Sequence, residues 1–176
     1  MTDGSSEAKD LGYSPAPYPD NEEQRQSVVS RLFSHQFDLS ALDPLVAEVA
    51  SAFDVPMAAA TVLDCDWQRL ASKIGLTTDR TSRAVAFCGY TISHETPFLV
   101  PDAQQDARFA GNPLVLGDPS IRFYAGARIV VDGMPVGALC AIGQTPRSDV
   151  DQATIDRLEA LAATASQILN KQLNGV

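Results

Sequence analysis

Cysteine is scarce in this chain. Its three residues, Cys65, Cys88 and Cys140, are too few and too far apart for a metal cluster or a disulfide framework. Cys88 and Cys140 read as small buried hydrophobes. The two histidines, His35 and His94, are distant from each other and have no cysteine or carboxylate at ligand spacing, so they make no case for a metal, and no cofactor is expected. Basic charge is also short, with 13 Lys and Arg against 22 Asp and Glu and a formal net charge of −9. The arginines are scattered singly from Arg25 to Arg157. Phosphate backbones and anionic lipid surfaces repel such a chain, so neither a nucleic-acid nor a membrane partner is expected. No apolar run approaches the length of a membrane span, and MTDGSSEAKD has no secretory h-region. Walker-type glycine loops and GxSxG are missing too. These absences point to a cytoplasmic protein.

What is present suits one globular domain. The chain has 176 residues, 45% of them hydrophobic, enough for a single sizeable core. Residues 1–20, ending in YSPAPYPD, read as a flexible or extended arm, with Tyr13 and Tyr18 able to dock on the domain. Residues 21–174 form the domain. A helix is predicted from Asn21 to Phe37, capped by Asn21, with Val28, Val29, Leu32, Phe33 and Phe37 on one face. His35 lies near its end, where a cation is mildly favoured. Ser40, with Asp43 three residues on, opens a second helix that stops at Asp54 and Pro56.

Met57–Leu63 is a short apolar run of strand length, followed by a turn at Asp64–Asp66 and a second antiparallel strand. Ala84, Phe87, Cys88, Thr91 and Ile92 fall at helical spacing, which predicts a short helix. PFLVPDA is a brief strand, and QQDARFAGNPLVLGDPS an ordered loop with one helical turn. IRFYAGARIVV and PVGALCAIG form a hairpin turning at Asp132-Gly133. From Val150 to Gln172, apolar residues recur every three or four positions, which predicts a helix about 30–35 Å long. The class is α+β: an antiparallel sheet of five to six strands, terminal helices on one face, the short helix and the 104–119 loop on the other. A cavity can form beneath that second layer.

One set of residues carries a resemblance. It comprises Arg83, Phe87-Cys88, Pro101-Asp102, Asp106, Arg108-Phe109, Asn112-Pro113, Ile121-Arg122-Phe123-Tyr124-Ala125-Gly126, Gly133, Gly137, Leu139-Cys140 and Pro146-Arg147. In order and spacing this resembles the GAF domain of the bacterial signalling type, over about Ser40 to Leu169. The chain departs from the family in two places. The family's Arg-Gln-Trp-Phe-Lys-like run is here Trp67-Gln68-Arg69-Leu70-Ala71, and a frequent Asp after the Leu-Cys strand is here Gly143. The resemblance implies a sensory or regulatory domain, non-catalytic, that binds a small molecule or mediates signalling contacts with a partner protein. Such domains usually precede an output domain, and this chain reads as a stand-alone one.

Within that frame the expected ligand-lining residues are Trp67, Cys88, His94, Asp102, Arg122 and Tyr124. Arg122 or Arg108 can anchor a carboxylate or phosphate through paired hydrogen bonds. Alternatively, Asp102 and Asp106 accept backbone N–H bonds and pair with an arginine to hold the loop. Phe123 and Tyr124, adjacent in a strand, must point to opposite faces, and Tyr124 is assigned to the cavity. Two other readings stand beside the sensor. In one, leftover apolar stripe on the terminal helices makes a homodimer around a vestigial pocket. In the other, Cys88 and Cys140 lie close in space and act as a thiol-dependent free methionine-(R)-sulfoxide reductase, an enzyme class built on the same fold.

Overall fold

The computed structural model describes residues 10–175. Its centre is a six-stranded antiparallel sheet. The strands are β1 (Met57–Leu63), β2 (Trp67–Ile74), β3 (Arg80–Ser82), β4 (Phe98–Val100), β5 (Phe123–Val131) and β6 (Met134–Gly143), in spatial order β3-β2-β1-β6-β5-β4. The central strands are apolar on both sides because both faces are covered. Every residue of β1 is buried, so it reads as a continuous run rather than an alternation.

The first face carries α1 (Glu22–Ser34), α2 (Asp43–Phe53) and α5 (Gln152–Asn174), the expected terminal-helix layer. Ala58, Ala60, Val62, Phe123, Ala125, Ala127, Ile129, Leu139 and Ala141 meet Val29, Val46, Phe53, Leu158 and Leu169 there. The second face carries α3 (Cys88–Thr91), α4 (Pro113–Leu116) and the loops around them, packed on Met57, Ala59, Leu63, Tyr124, Ala138, Cys140 and Ile142. Phe123 and Tyr124 do part to opposite faces.

Several boundaries differ from the sequence reading. α1 ends at Ser34, not Phe37, because the Ser34 hydroxyl and His35 Nδ1 both engage the Arg31 carbonyl, at 2.9 and 2.8 Å, and His35 turns extended. Asn21 makes no side-chain cap bond; its amide reaches Met134 instead. Ser40 does not open α2. Asp38 caps a 3₁₀ turn over Leu39–Leu42, accepting from Ser40 N at 3.1 Å, and α2 begins at Asp43 with Pro44 in its first turn. The helix predicted around Ala84–Ile92 is shorter and is preceded by β3 and a 3₁₀ turn over Arg83–Val85. β3 escaped notice because its three residues carry no buried apolar side chain. The β5–β6 turn is where expected, with positive φ at Asp132 (47°) and Gly133 (76°).

Residues 10–20 run along the domain surface. Ser14 N donates to Arg108 O at 2.9 Å, Gly111 N to Gly12 O at 2.7 Å, and the Tyr90 hydroxyl to Ser14 O at 2.6 Å. Tyr18 bonds Cys65 O at 2.8 Å and lies under the Arg83 guanidinium, 3.9 Å from the ring centroid. This stretch ties the start of the chain to the layer over the second face. The first nine residues of the expected arm lie outside the described residues.

A partly buried ionic knot fixes α1 to the sheet. The Glu22 carboxylate holds Arg25 at 2.8 and 2.9 Å and Arg83 at 2.5 and 3.1 Å. Arg25 is fully buried, and Arg83 also donates to Asp64 O. Burial alone would push the Glu22 carboxyl up; the bonds from Arg25, Arg83 and Gln26 outweigh it and bring it to about 2.

Candidate functional site

Between the sheet and the second-face layer lies a cavity of about 330 Å³. Its inner wall is built by strand alternation. Ala59 and Thr61 from β1, Gln68 and Leu70 from β2, Tyr124 from β5, and Cys140 and Ile142 from β6 all point to it. Phe87 and Cys88, at the start of α3, close one end, and Leu114 and Ile121 close the roof. The exposed residues Thr77, Thr78 and Asp118 form the mouth. The size falls at the small end of the range for small-molecule sites, and the mixture of apolar wall and few polar groups is typical of them.

The polar groups are mostly hydroxyls. Four threonines, Thr61, Thr77, Thr78 and Thr81, line the space. Gln68 donates through its amide to Thr81 Oγ1 at 3.1 Å. The one charged lining residue is Asp118; no Lys, Arg or His faces the cavity among the described residues.

At the floor, four side chains form a chain of contacts. Thr91 Oγ1 and the Tyr124 hydroxyl are 2.7 Å apart, the Tyr124 hydroxyl donates to Cys88 Sγ at 3.1 Å, and Cys88 Sγ lies 4.0 Å from Cys140 Sγ. Gly126 makes this possible: a Cβ there would run into the Tyr124 hydroxyl and sit 2.9 Å from Thr91 Oγ1. Burial drives the Tyr124 phenol well up, reinforced by the neighbouring sulfurs, so it stays a donor. Burial also acts to raise the Cys88 thiol, but hydrogen bonds from Cys140, Thr61 and Tyr124 outweigh it and lower it. The bond to Cys88, followed by burial, pushes Cys140 up.

Of the six expected lining residues, the structure brings Cys88 and Tyr124 together on the cavity. Trp67 lies on the other side of β2 from Gln68, as strand alternation requires, and stacks under Arg80 at 4.1 Å. His94 is exposed beyond α3, its Nδ1 2.7 Å from Tyr90 O. Asp102 accepts from Gln104 N at 3.1 Å. Arg122 donates from one nitrogen to Val115 O and Ile121 O, both at 2.9 Å. Asp106 holds Arg108 at 2.7 and 2.9 Å and caps its backbone N–H at 3.0 Å. These loop residues support backbone rather than face the cavity. The sequence reading left out Thr61, Gln68, Leu114 and the Thr77–Thr81 group. The cluster TTDRTS, which runs from the turn after β2 through β3, was the available sign of a hydroxyl-rich rim.

The GAF domain model matches residues 39–169. The chain belongs to the GAF domain family. It is 36% identical over 148 residues to a cyclic di-GMP phosphodiesterase of Pseudomonas aeruginosa, a match covering 83% of this chain and 25% of that protein. The chain therefore spans about a quarter of that relative's length. Its fold matches the GAF domain of an Acinetobacter phosphoenolpyruvate-protein phosphotransferase with a TM-score of 0.63 at 18% identity, covering 90% and 99% of the two chains. It also matches a free methionine-R-sulfoxide reductase of Neisseria meningitidis with a TM-score of 0.64 at 18% identity, covering 88% and 89%. At that identity both likenesses speak for the fold. No helix among the described residues is long and apolar enough to cross a membrane.

Proposed function

We propose that this GAF domain is a non-catalytic sensory module that binds a small uncharged molecule between its sheet and the layer over β1, β2, β5 and β6. The observation that carries the reading is the cavity itself: about 330 Å³ of space, apolar walls, threonine hydroxyls and, among the described residues, no cationic side chain. A phosphate or carboxylate would enter there without a counter-charge and beside Asp118, at a desolvation cost that nothing repays. A neutral ring or amide can fill the apolar wall and use the threonines. Binding orders the α3–α4 layer, and the layer is tied to residues 12–14 and to α1 through Arg83. That gives a route from cavity to the terminal segments, where a partner protein of a signalling pathway would read it.

For self-association through the terminal helices, α1 offers the exposed Phe33 and α5 offers less apolar surface. Its four leucines, Leu158, Leu161, Leu169 and Leu173, are buried inside the domain, while Ile155 and Ile168 are only partly covered. The exposed positions of α5 are otherwise polar or small, such as Asp156, Arg157, Glu159, Ala163, Gln167 and Lys171.

The test is a thermal-shift screen with two arms: uncharged heterocycles and amides such as adenine and nicotinamide, and anions such as cyclic AMP, cyclic GMP and cyclic di-GMP. A probe at 100 times its Kd contributes about 2.7 kcal/mol, which is roughly 5–10 °C in Tm for a domain of this size. Stabilisation confined to the uncharged arm is expected. Stabilisation by the anions alone would overturn the charge argument and leave a binding module. A flat response in both arms to a broad metabolite panel would remove the binding role.

A further inference from the structure

Cys88 and Cys140 come from distant parts of the chain, α3 and β6, yet their sulfurs meet at 4.0 Å on the floor of the cavity. The sensory reading uses neither thiol. We propose that this pair is an oxidation site: a small hydroperoxide entering the cavity converts the two thiols into a Cys88–Cys140 disulfide. The modification is stoichiometric, and it does not depend on the identity of any ligand.

Three observations lead there. The first is proximity. A disulfide needs its sulfurs at about 2.05 Å, so the 4.0 Å contact must close by about 2 Å, through rotation of one cysteine and a small slide of α3 toward the sheet. The second is access. Both cysteines are almost fully buried against protein, but both line the cavity, whose mouth opens between Thr78 and Asp118. A molecule the size of hydrogen peroxide can reach the sulfurs without unfolding. The third is asymmetry. Cys88 Sγ receives the Tyr124 hydroxyl at 3.1 Å, and Thr91 steadies that hydroxyl at 2.7 Å. Donors aimed at a sulfur favour its thiolate, which is the nucleophile. Cys140 has its thiol pushed up and suits the resolving role.

The steps balance. The Cys88 thiolate attacks one peroxide oxygen; an S–O bond forms, the O–O bond breaks, and the departing alkoxide takes up the thiol's proton to leave as an alcohol, or as water from hydrogen peroxide. Cys88 is then a sulfenic acid. The Cys140 sulfur attacks it; the S–S bond forms, the S–O bond breaks, and hydroxide leaves as water with the Cys140 proton. Two thiols lose two electrons and the hydroperoxide gains them. The closed disulfide takes the sulfur away from the Tyr124 hydroxyl and draws α3 toward β6, so oxidation state and cavity shape are linked.

The experiment treats the native protein with hydrogen peroxide, then denatures it in an alkylating agent and maps the peptides by mass. A Cys88–Cys140 linked peptide two hydrogens lighter than its reduced parts, restored by dithiothreitol, is expected, with the exposed Cys65 scored separately. In Cys140→Ser, dimedone is expected to trap a sulfenic acid on Cys88, and in Cys88→Ser to find little on Cys140. Should either variant fail to fold, the wild-type map decides alone. Full alkylation of both residues after peroxide, with Cys65 oxidised, overturns the proposal. So does peroxide oxidation no faster than native-state labelling of the pair by a bulky maleimide, because unfolding would then be delivering the thiols.

Discussion

Gly126→Ala tests the packing at the cavity floor most sharply. Gly126 lies in β5, paired with Phe98 on β4 and Cys140 on β6. An added methyl would collide with the Tyr124 hydroxyl, lie 2.8 Å from the ring carbon that bears it, and lie 2.9 Å from Thr91 Oγ1. Neither neighbour is a free end, since Tyr124 is 1% exposed and Thr91 is fully buried. The ring must move, and the 2.7 Å bond to Thr91 goes with it. Overpacking of this kind costs about 1–3 kcal/mol, and two buried hydroxyls left poorly paired add about 1–2 kcal/mol. The total, about 2–5 kcal/mol, corresponds to a Tm lower by roughly 4–20 °C. Tyr124→Phe alone loses the hydroxyl's bonds at about 1–2 kcal/mol. In the double variant the closest collision is gone, although the ring carbon remains, so the costs should fall short of their sum by about 1 kcal/mol. Urea unfolding of the four proteins measures this coupling. Strictly additive costs, or a Gly126→Ala protein as stable as wild type, would refute the account of the floor.

The Glu22 knot predicts a pH signature. Because the folded-state carboxyl lies near 2 and an unfolded one near 4.5, the knot's contribution is complete above about pH 4.5 and is lost as pH falls toward 2. The shift alone would be about 3 kcal/mol; solvent screening of the partly exposed carboxylate reduces it to roughly 1–2 kcal/mol. Glu22→Gln should lower stability by that amount at pH 7, and the gap should close between pH 4.5 and 2 in urea titrations; a gap independent of pH contradicts the reading. Asn112→Ala should cost about 2–3 kcal/mol by the same assay, since the buried Asn112 side chain accepts from Leu114 N at 2.9 Å and donates to Val85 O at 3.0 Å. Arg122→Met should raise amide exchange around Val115 and Ile121, whose carbonyls it holds, while leaving the far-side helices protected. Unchanged exchange there would mean that the loop is held by other contacts.

Much of the architecture was legible because its signals are local and periodic. The stripe through Leu158, Leu161, Ala165 and Leu169 and the Asp132-Gly133 turn each announce one element and one orientation. Strand alternation was enough to send Phe123 and Tyr124 to opposite sides. What escaped depended on contacts across the fold. β3 is specified by pairing with Trp67–Arg69, not by apolar pattern. Arg122 and Asp102 have side chains suited to ligands, but the backbone of the 101–122 loop claims them. Trp67 looks like a pocket aromatic, yet its place one residue from Gln68 sends it to the other face. The threonine rim was missed because Thr61 and Thr77–Thr81 converge only when β1 and the β2–β3 turn close on the same space. The Cys88–Cys140 contact depends likewise on α3 lying across β6.

The central claim is a ligand space between the sheet and the α3–α4 layer, without a positive charge. A crystal structure of the protein purified directly from cells tests it most directly. The account predicts non-protein density against Thr61, Leu70, Tyr124 and Ile142, with hydrogen bonds to threonine hydroxyls and no phosphate group. A space filled by Leu76, Leu114 and Ile121 folded inward, or density for a phosphorylated ligand held by an arginine, would contradict it.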